Sequence, residues 1–200
     1  MTPEKLLRLL KRTIQRQRLH RHLKSADPLK VIVGAASSSY EGWYATDRDL
    51  LDIRSASDWK RLFRPASIDR LLAEHVLEHL SEAECRTALQ ESFHYLKVGG
   101  LFRIAVPDGY RRDTAYLEEV RPPKDGHKML FTIDTLLPLL HDCGFHSTAL
   151  EFFDAQERFH HRPWDSGDGS VQRSYRFDRQ KDFKRGELYY TSLIVDARKP

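Results

Sequence analysis

The sequence predicts a three-layer α/β domain, and three observations carry the prediction. "LKVIVGAA" holds a continuous apolar run, Val31 to Val33, closed by Gly34, which suits a strand buried on both faces of a parallel sheet. Short strand-like runs then alternate with stretches of helical period, the pattern of a sheet flanked by other layers. One helix also marks its own start: Ser81 and Glu84 are spaced as a capping box ahead of Cys85, Leu89, Phe93 and Leu96.

The elements follow in order. Thr2 suits an N-cap and Pro3 the first helical position. The helix they open carries eight Lys and Arg side chains up to Lys24 against the single acid Glu4. Leu6, Leu9, Leu10 and Ile14 form a short apolar stripe on it. That stripe is expected to pack on the domain with the charged face in water. The sharper alternative is that residues 1–24 dock on an anionic membrane surface, a nucleic acid or a partner protein. Asp27-Pro28 sets a boundary, so residues 1–27 read as a basic helix with its linker and 28–200 as one domain. After the first strand, "WYATD", "DLLDI" and "IDRLLA" read as strands two to four. Gly99 and Gly100 end the capped helix, and "LFRIAV", closed by Pro107, is the fifth strand. "TIDTLLPLLHDCGF" reads as a helix ending near Gly144, with Pro138 implying a kink or a later start. "HSTALEFF" and "YTSLIVDA" are the final strands, joined by a polar, turn-rich connection.

Composition narrows the class. The 200 residues suffice for one sizeable core, and 40% hydrophobic with 31% charged residues is the balance of a folded rather than a disordered chain. No apolar run is long enough for a transmembrane segment, and no signal-peptide pattern opens the chain. Cys85 and Cys143, both in predicted helices, read as reduced core thiols of a cytoplasmic protein. The oligomeric state stays open.

Several motifs bear on chemistry. The loop "GAASSSYEGW" has no P-loop lysine and no G-x-G-x-x-G, so it supports neither an NTPase nor a typical dinucleotide enzyme. Asp47 ends the second strand, where an acid can accept from both ribose hydroxyls, and Asp52 after the next run could face an adenine amine. Either aspartate serves equally as a turn former. "HVLEH", His75 to His79, matches H-x-x-E-H, a zinc-peptidase signature. A zinc helix would need both histidines on one face of a continuous helix. Ser81 caps a new helix only two residues later, so no metal centre is expected and His79 reads as a structural residue, buried or capping. His160, His161 and Trp164 fall in the last connection, where solvent-facing residues are the default.

Taken in order, "VIVG", "GWYATD", "LLDI", "IDRLLAEHVLEHL" and "LKVGGLFRIAVPDGY" resemble the class I S-adenosylmethionine-dependent methyltransferases. The likeness is to a small bacterial group of predicted methyltransferases with little inserted between the first two strands. It runs from about Leu29 to Pro200. It implies a Rossmann-like, mostly parallel seven-stranded sheet with an antiparallel last strand. It implies S-adenosylmethionine bound at the carboxyl ends of the first, second and fourth strands. Gly34 then matches the turn that admits the methionine part, Asp47 the ribose acid and Asp52 the residue beside the adenine. Glu74 and His75 match the residues that leave the fourth strand toward the methyl group. Pro107 and Asp108 match the rim where the acceptor enters. His127 matches a histidine on the acceptor side, suited as general base for a hydroxyl, and reads equally as a helix-cap or surface residue.

The first loop departs from the family pattern: Ala36 and Ser38 stand where the family usually has further glycines, and alanine disfavours positive φ by roughly 1 kcal/mol. The expected activity is methyl transfer to a small-molecule or sugar hydroxyl. Two alternatives remain: a non-catalytic protein of this fold acting as partner or scaffold, and a surface-binding protein working through the basic helix.

Overall fold

The structure, a computed structural model, describes residues 26–178 and 191–200, together with seven helical residues between 6 and 17. Seven strands form one sheet: β1 (Lys30–Val33), β2 (Trp43–Ala45), β3 (Ile68–Glu74), β4 (Leu96–Val106), β5 (His146–Phe153), β6 (Phe159–His161) and β7 (Leu193–Arg198). Their spatial order is β2-β1-β3-β4-β7-β5-β6. Strands β1 to β4 pair in parallel, whereas β7 runs antiparallel to both β4 and β5, and β6 antiparallel to β5. The helices are α1 (Ala56–Leu62), α2 (Glu82–Tyr95), α3 (Thr114–Val120), α4 (Ile133–Asp142) and the four-residue α5 (Tyr175–Asp178).

Two differences from the expected sheet have a clear cause. "DLLDI" is not a strand. The amides of Leu50 and Leu51 turn back to the Asp47 carbonyl, at 2.7 and 2.9 Å, so they have no ladder to join. Leu50, Leu51 and Ile53 still reach the core, from a loop. The seventh strand lies instead at the opposite edge, where β6, inside the polar connection, folds back on β5 and adds a second antiparallel member. Pro138 sits inside α4 without ending it. Ser81 and Glu84 form both halves of the capping box, as the sequence predicted.

The two faces of the sheet are covered differently. Val31, Val33, Leu71, Ala73, Phe102, Ile104, Val106 and Val195 face one main core, closed by Trp59 of α1, Leu89 of α2 and Leu136 and Leu140 of α4. Burial of such side chains contributes roughly 1.5–3 kcal/mol each. The opposite face carries a small core of Ile32, Leu72, Ala105, Leu150 and Ile194 under Val171 and Trp164. Its third layer is the connection after β6, fastened by polar side chains of the strands. Arg103 of β4, 1% exposed, pairs with Asp196 at 2.7 and 2.9 Å and donates to the carbonyls of Asp165 and Gly169. Glu151 accepts from Trp164 Nε1 and the Tyr175 amide, and Arg70 meets Asp168 at 2.5 Å. Charges in central strands are costly unless paired, and here Asp196 of β7 and the connection together supply the partners.

Of the expected apolar stripe on the N-terminal helix, Leu6, Leu10 and Ile14 are about half exposed rather than packed on the domain, as is the neighbouring Leu7. Thr2, Pro3 and Leu9 lie outside the described residues. Both thiols are buried and unpaired, and burial pushes the Cys85 thiol up to about 12.

Candidate active site

At the carboxyl ends of β1, β2 and β3 the chain leaves the sheet through three sharp turns. Gly34 follows β1 with φ +61°, and a Cβ there would lie 2.5 Å from Val76 Cγ2. The glycine is therefore required twice, by conformation and by space. Ala36 takes φ +47°, so the loop keeps a glycine-like path although the glycine is gone. His75, just past β3, has φ +55°. Left-handed non-glycine residues cost about 1–3 kcal/mol and concentrate at functional sites.

These turns border two cavities that meet at Gly34, His75 and His79. The smaller, about 490 Å³, is lined by Asp47, Asp52, Ile53, Arg54 and Lys128 among others. The larger, about 700 Å³, is lined by Ala36, Ser38, Tyr40, Glu74, Glu78 and His127 among others. The structure thus gathers Gly34, Ala36, Asp47, Asp52, Glu74, His75 and His127 around one continuous cleft.

Their individual states differ. Asp47 is exposed, its Oδ1 accepting from the Arg48 amide at 2.7 Å. Asp52 is held by the forked guanidinium of Arg54, at 2.9 and 2.7 Å, which keeps its carboxyl below the ordinary range. Arg54 also contacts Glu84, which accepts from Lys128 Nζ at 2.7 Å and from the Ser81 amide at 2.8 Å. Led by the Lys128 contact, these bonds hold Glu84 down to about 2. Glu74 accepts from the amides of Gln172 and Arg173, at 3.0 and 2.8 Å, so it lines the cavity and fastens its wall.

His127 is buried, 7% exposed, and caps the 3-10 turn Lys124–Gly126. Its Nδ1 lies 2.7 Å from the Val120 carbonyl. A carbonyl only accepts, so Nδ1 carries a proton, and in the neutral ring the lone pair lies on Nε2.

Other expectations are corrected. Asp108 is not at a rim: it is fully buried, and its two oxygens accept from the amides of Tyr110 and Phe153. Burial pushes its carboxyl up to about 6. His79 is neither buried nor a cap; it is exposed, with its ring edge-on to that of His127 at 4.8 Å. His160 and His161 face solvent as expected, but on β6 rather than in a loop and outside both cavities of the cleft, and His160 shares a hydrogen bond with Asp154. Trp164 packs on Arg103.

Sequence reasoning missed Glu78. It is fully buried, one turn past β3, with neither carboxylate oxygen in a hydrogen bond. The one signal was its place in "HVLEH", where attention falls on the histidines.

The architecture and cleft together define the chain's class: it has the fold of the class I S-adenosylmethionine-dependent methyltransferases. Among solved structures, a SAM-dependent methyltransferase from Archaeoglobus fulgidus is similar over 94% of both chains, at 15% identity and TM-score 0.53. The DszA carbon methyltransferase is similar over 90% of this chain and 43% of its own length, at 13% identity and TM-score 0.50. No family model and no curated protein matches the sequence.

Proposed function

We propose that the protein is an S-adenosylmethionine-dependent methyltransferase acting on a hydroxyl of a small molecule or glycan. The observation that supports this most is the cleft itself. Two cavities at the carboxyl ends of β1, β2 and β3 meet across the glycine turn, with acids at both ends. An elongated cofactor would place its adenosine by Asp47, Asp52 and Ile53, and its methionine part by Gly34, Ala36, Glu74 and His75. When bound it supplies an electrophilic methyl, so this chain's own residues need only align the acceptor and take its proton. His127 has the lone pair for that step at Nε2. The degenerate first loop is no bar, because Ala36 already holds the conformation a second glycine would give. Two buried, unpaired thiols suit the cytoplasm.

Calorimetry with S-adenosylhomocysteine tests the reading. Binding is expected, weakened about tenfold or more by Asp47→Ala through loss of a charged acceptor. No detectable heat with millimolar ligand would sink it and favour the non-catalytic partner role.

A separate observation favours a second, compatible reading. The exposed leucines and Ile14 lie on a strongly basic segment. Apolar side chains exposed beside a basic sequence suit docking of this segment on an anionic membrane surface.

A further inference from the structure

The neighbours Glu78 and His79 and the distant His127 bring one ligand atom each to within 4.8 Å of one another. The backbone enforces this: the Glu78 carbonyl accepts from the amides of both Lys128 and Met129, at 2.7 and 3.1 Å. All three side chains line the larger cavity. Glu78 is 0% exposed, and neither oxygen has a hydrogen-bond partner. Its Oε1 lies 3.1 Å from His75 Nδ1 without hydrogen-bond geometry, and Oε2 has no partner at all among the described residues. A buried carboxylate in this state calls for a cation. His127, with Nδ1 bound to a backbone carbonyl, presents Nε2 in the form that ligates metals, and the carbonyl fixes the ring as outer partners of metal ligands do.

We propose that Glu78, His79 and His127 form a binding site for a divalent transition cation of zinc-like preference. Two imidazoles and one carboxylate are a donor set for such ions and leave coordination positions open. Ligand atoms around zinc lie about 3.4 Å apart, given bonds of about 2.1 Å at tetrahedral angles. Separations of up to 4.8 Å need closure of up to about 1.4 Å, of which exposed His79 can supply its own share. With the cation bound, His127 Nε2 is a ligand and no longer the general base; an open position facing the cavity would instead hold an acceptor oxygen and favour loss of its proton; this last role, unlike the site, rests on the methyltransferase reading. The "HVLEH" segment thus contributes its glutamate and second histidine, not a histidine pair.

The test uses the full chain after dialysis against chelator, titrated with Zn²⁺ alone by calorimetry and with Co²⁺ for visible d–d absorption. About one equivalent should bind. His79→Ala, His127→Ala and Glu78→Gln should each weaken binding at least about tenfold, whereas His160→Ala should not. Circular dichroism checks folding, and exposed His79→Ala decides alone if the buried variants unfold. No zinc heat, or undiminished affinity in the folded variants, overturns the site. S-adenosylhomocysteine titrated into the same samples separates the two proposals. Heat with the nucleoside but not with zinc removes the metal site only, and the reverse removes the methyltransferase reading only.

Discussion

Gly34 shows how much one residue settles. Gly34→Ala should lower stability by about 2–3 kcal/mol, from positive φ and the clash with Val76 together. Thermal unfolding should then shift down by about 5–10 °C, and Gly34→Ala with Val76→Ala should show coupling that recovers only the steric part. An unchanged midpoint would mean that the turn is not built as described. Asp47 was legible from its place after an apolar run, whereas Gly34, Glu74 and His75 were pointed to by the family resemblance. Glu78 was not. Its meaning comes from a backbone tie to Lys128 and Met129, and no local pattern encodes a contact fifty residues away. Asp108 misled for a related reason. A loop aspartate after Pro107 reads as exposed, yet two amides from separate segments converge on it.

Most elements were readable where period, cap and length agreed, as in α2 with its box at Ser81. "DLLDI" failed because an apolar triplet is equally at home in a buried loop, and its amides were already engaged at Asp47. β6 and α1 are too short to show a period. The N-terminal helix has the clearest unpaired face among the described elements, and its behaviour can be measured. The full chain should sediment with anionic phosphatidylserine vesicles at low salt and be released as salt rises. A chain lacking residues 1–24 should stay in solution. Equal sedimentation of both would remove the surface-binding reading.

Over the whole molecule, Asp108 leaves a signature in stability against pH. Its folded pKa, raised by burial to about 6, exceeds the ordinary value of about 3.9. Between these values the folded state holds the proton more tightly, so this group's contribution falls as pH rises through the window, by about 3 kcal/mol in all. Glu84 acts in the opposite sense and lower down: held at about 2, it stabilises above the ordinary glutamate range and loses that as pH falls. Urea midpoints at about pH 4.5 and about pH 7 should show a smaller change in Asp108→Asn than in the parent; identical changes would contradict the assignment. A further consequence lies in the face of the sheet that the helices do not cover. The connection after β6 hangs there from Arg70, Glu74, Arg103 and Glu151, with Val171 and Trp164 seated on the small apolar core between them. Polar hooks and two apolar plugs fix a panel at a few points and leave its exposed positions unconstrained. Those positions can therefore be rewritten without re-registering a strand, which makes this wall of the cleft an exchangeable part on a constant chassis.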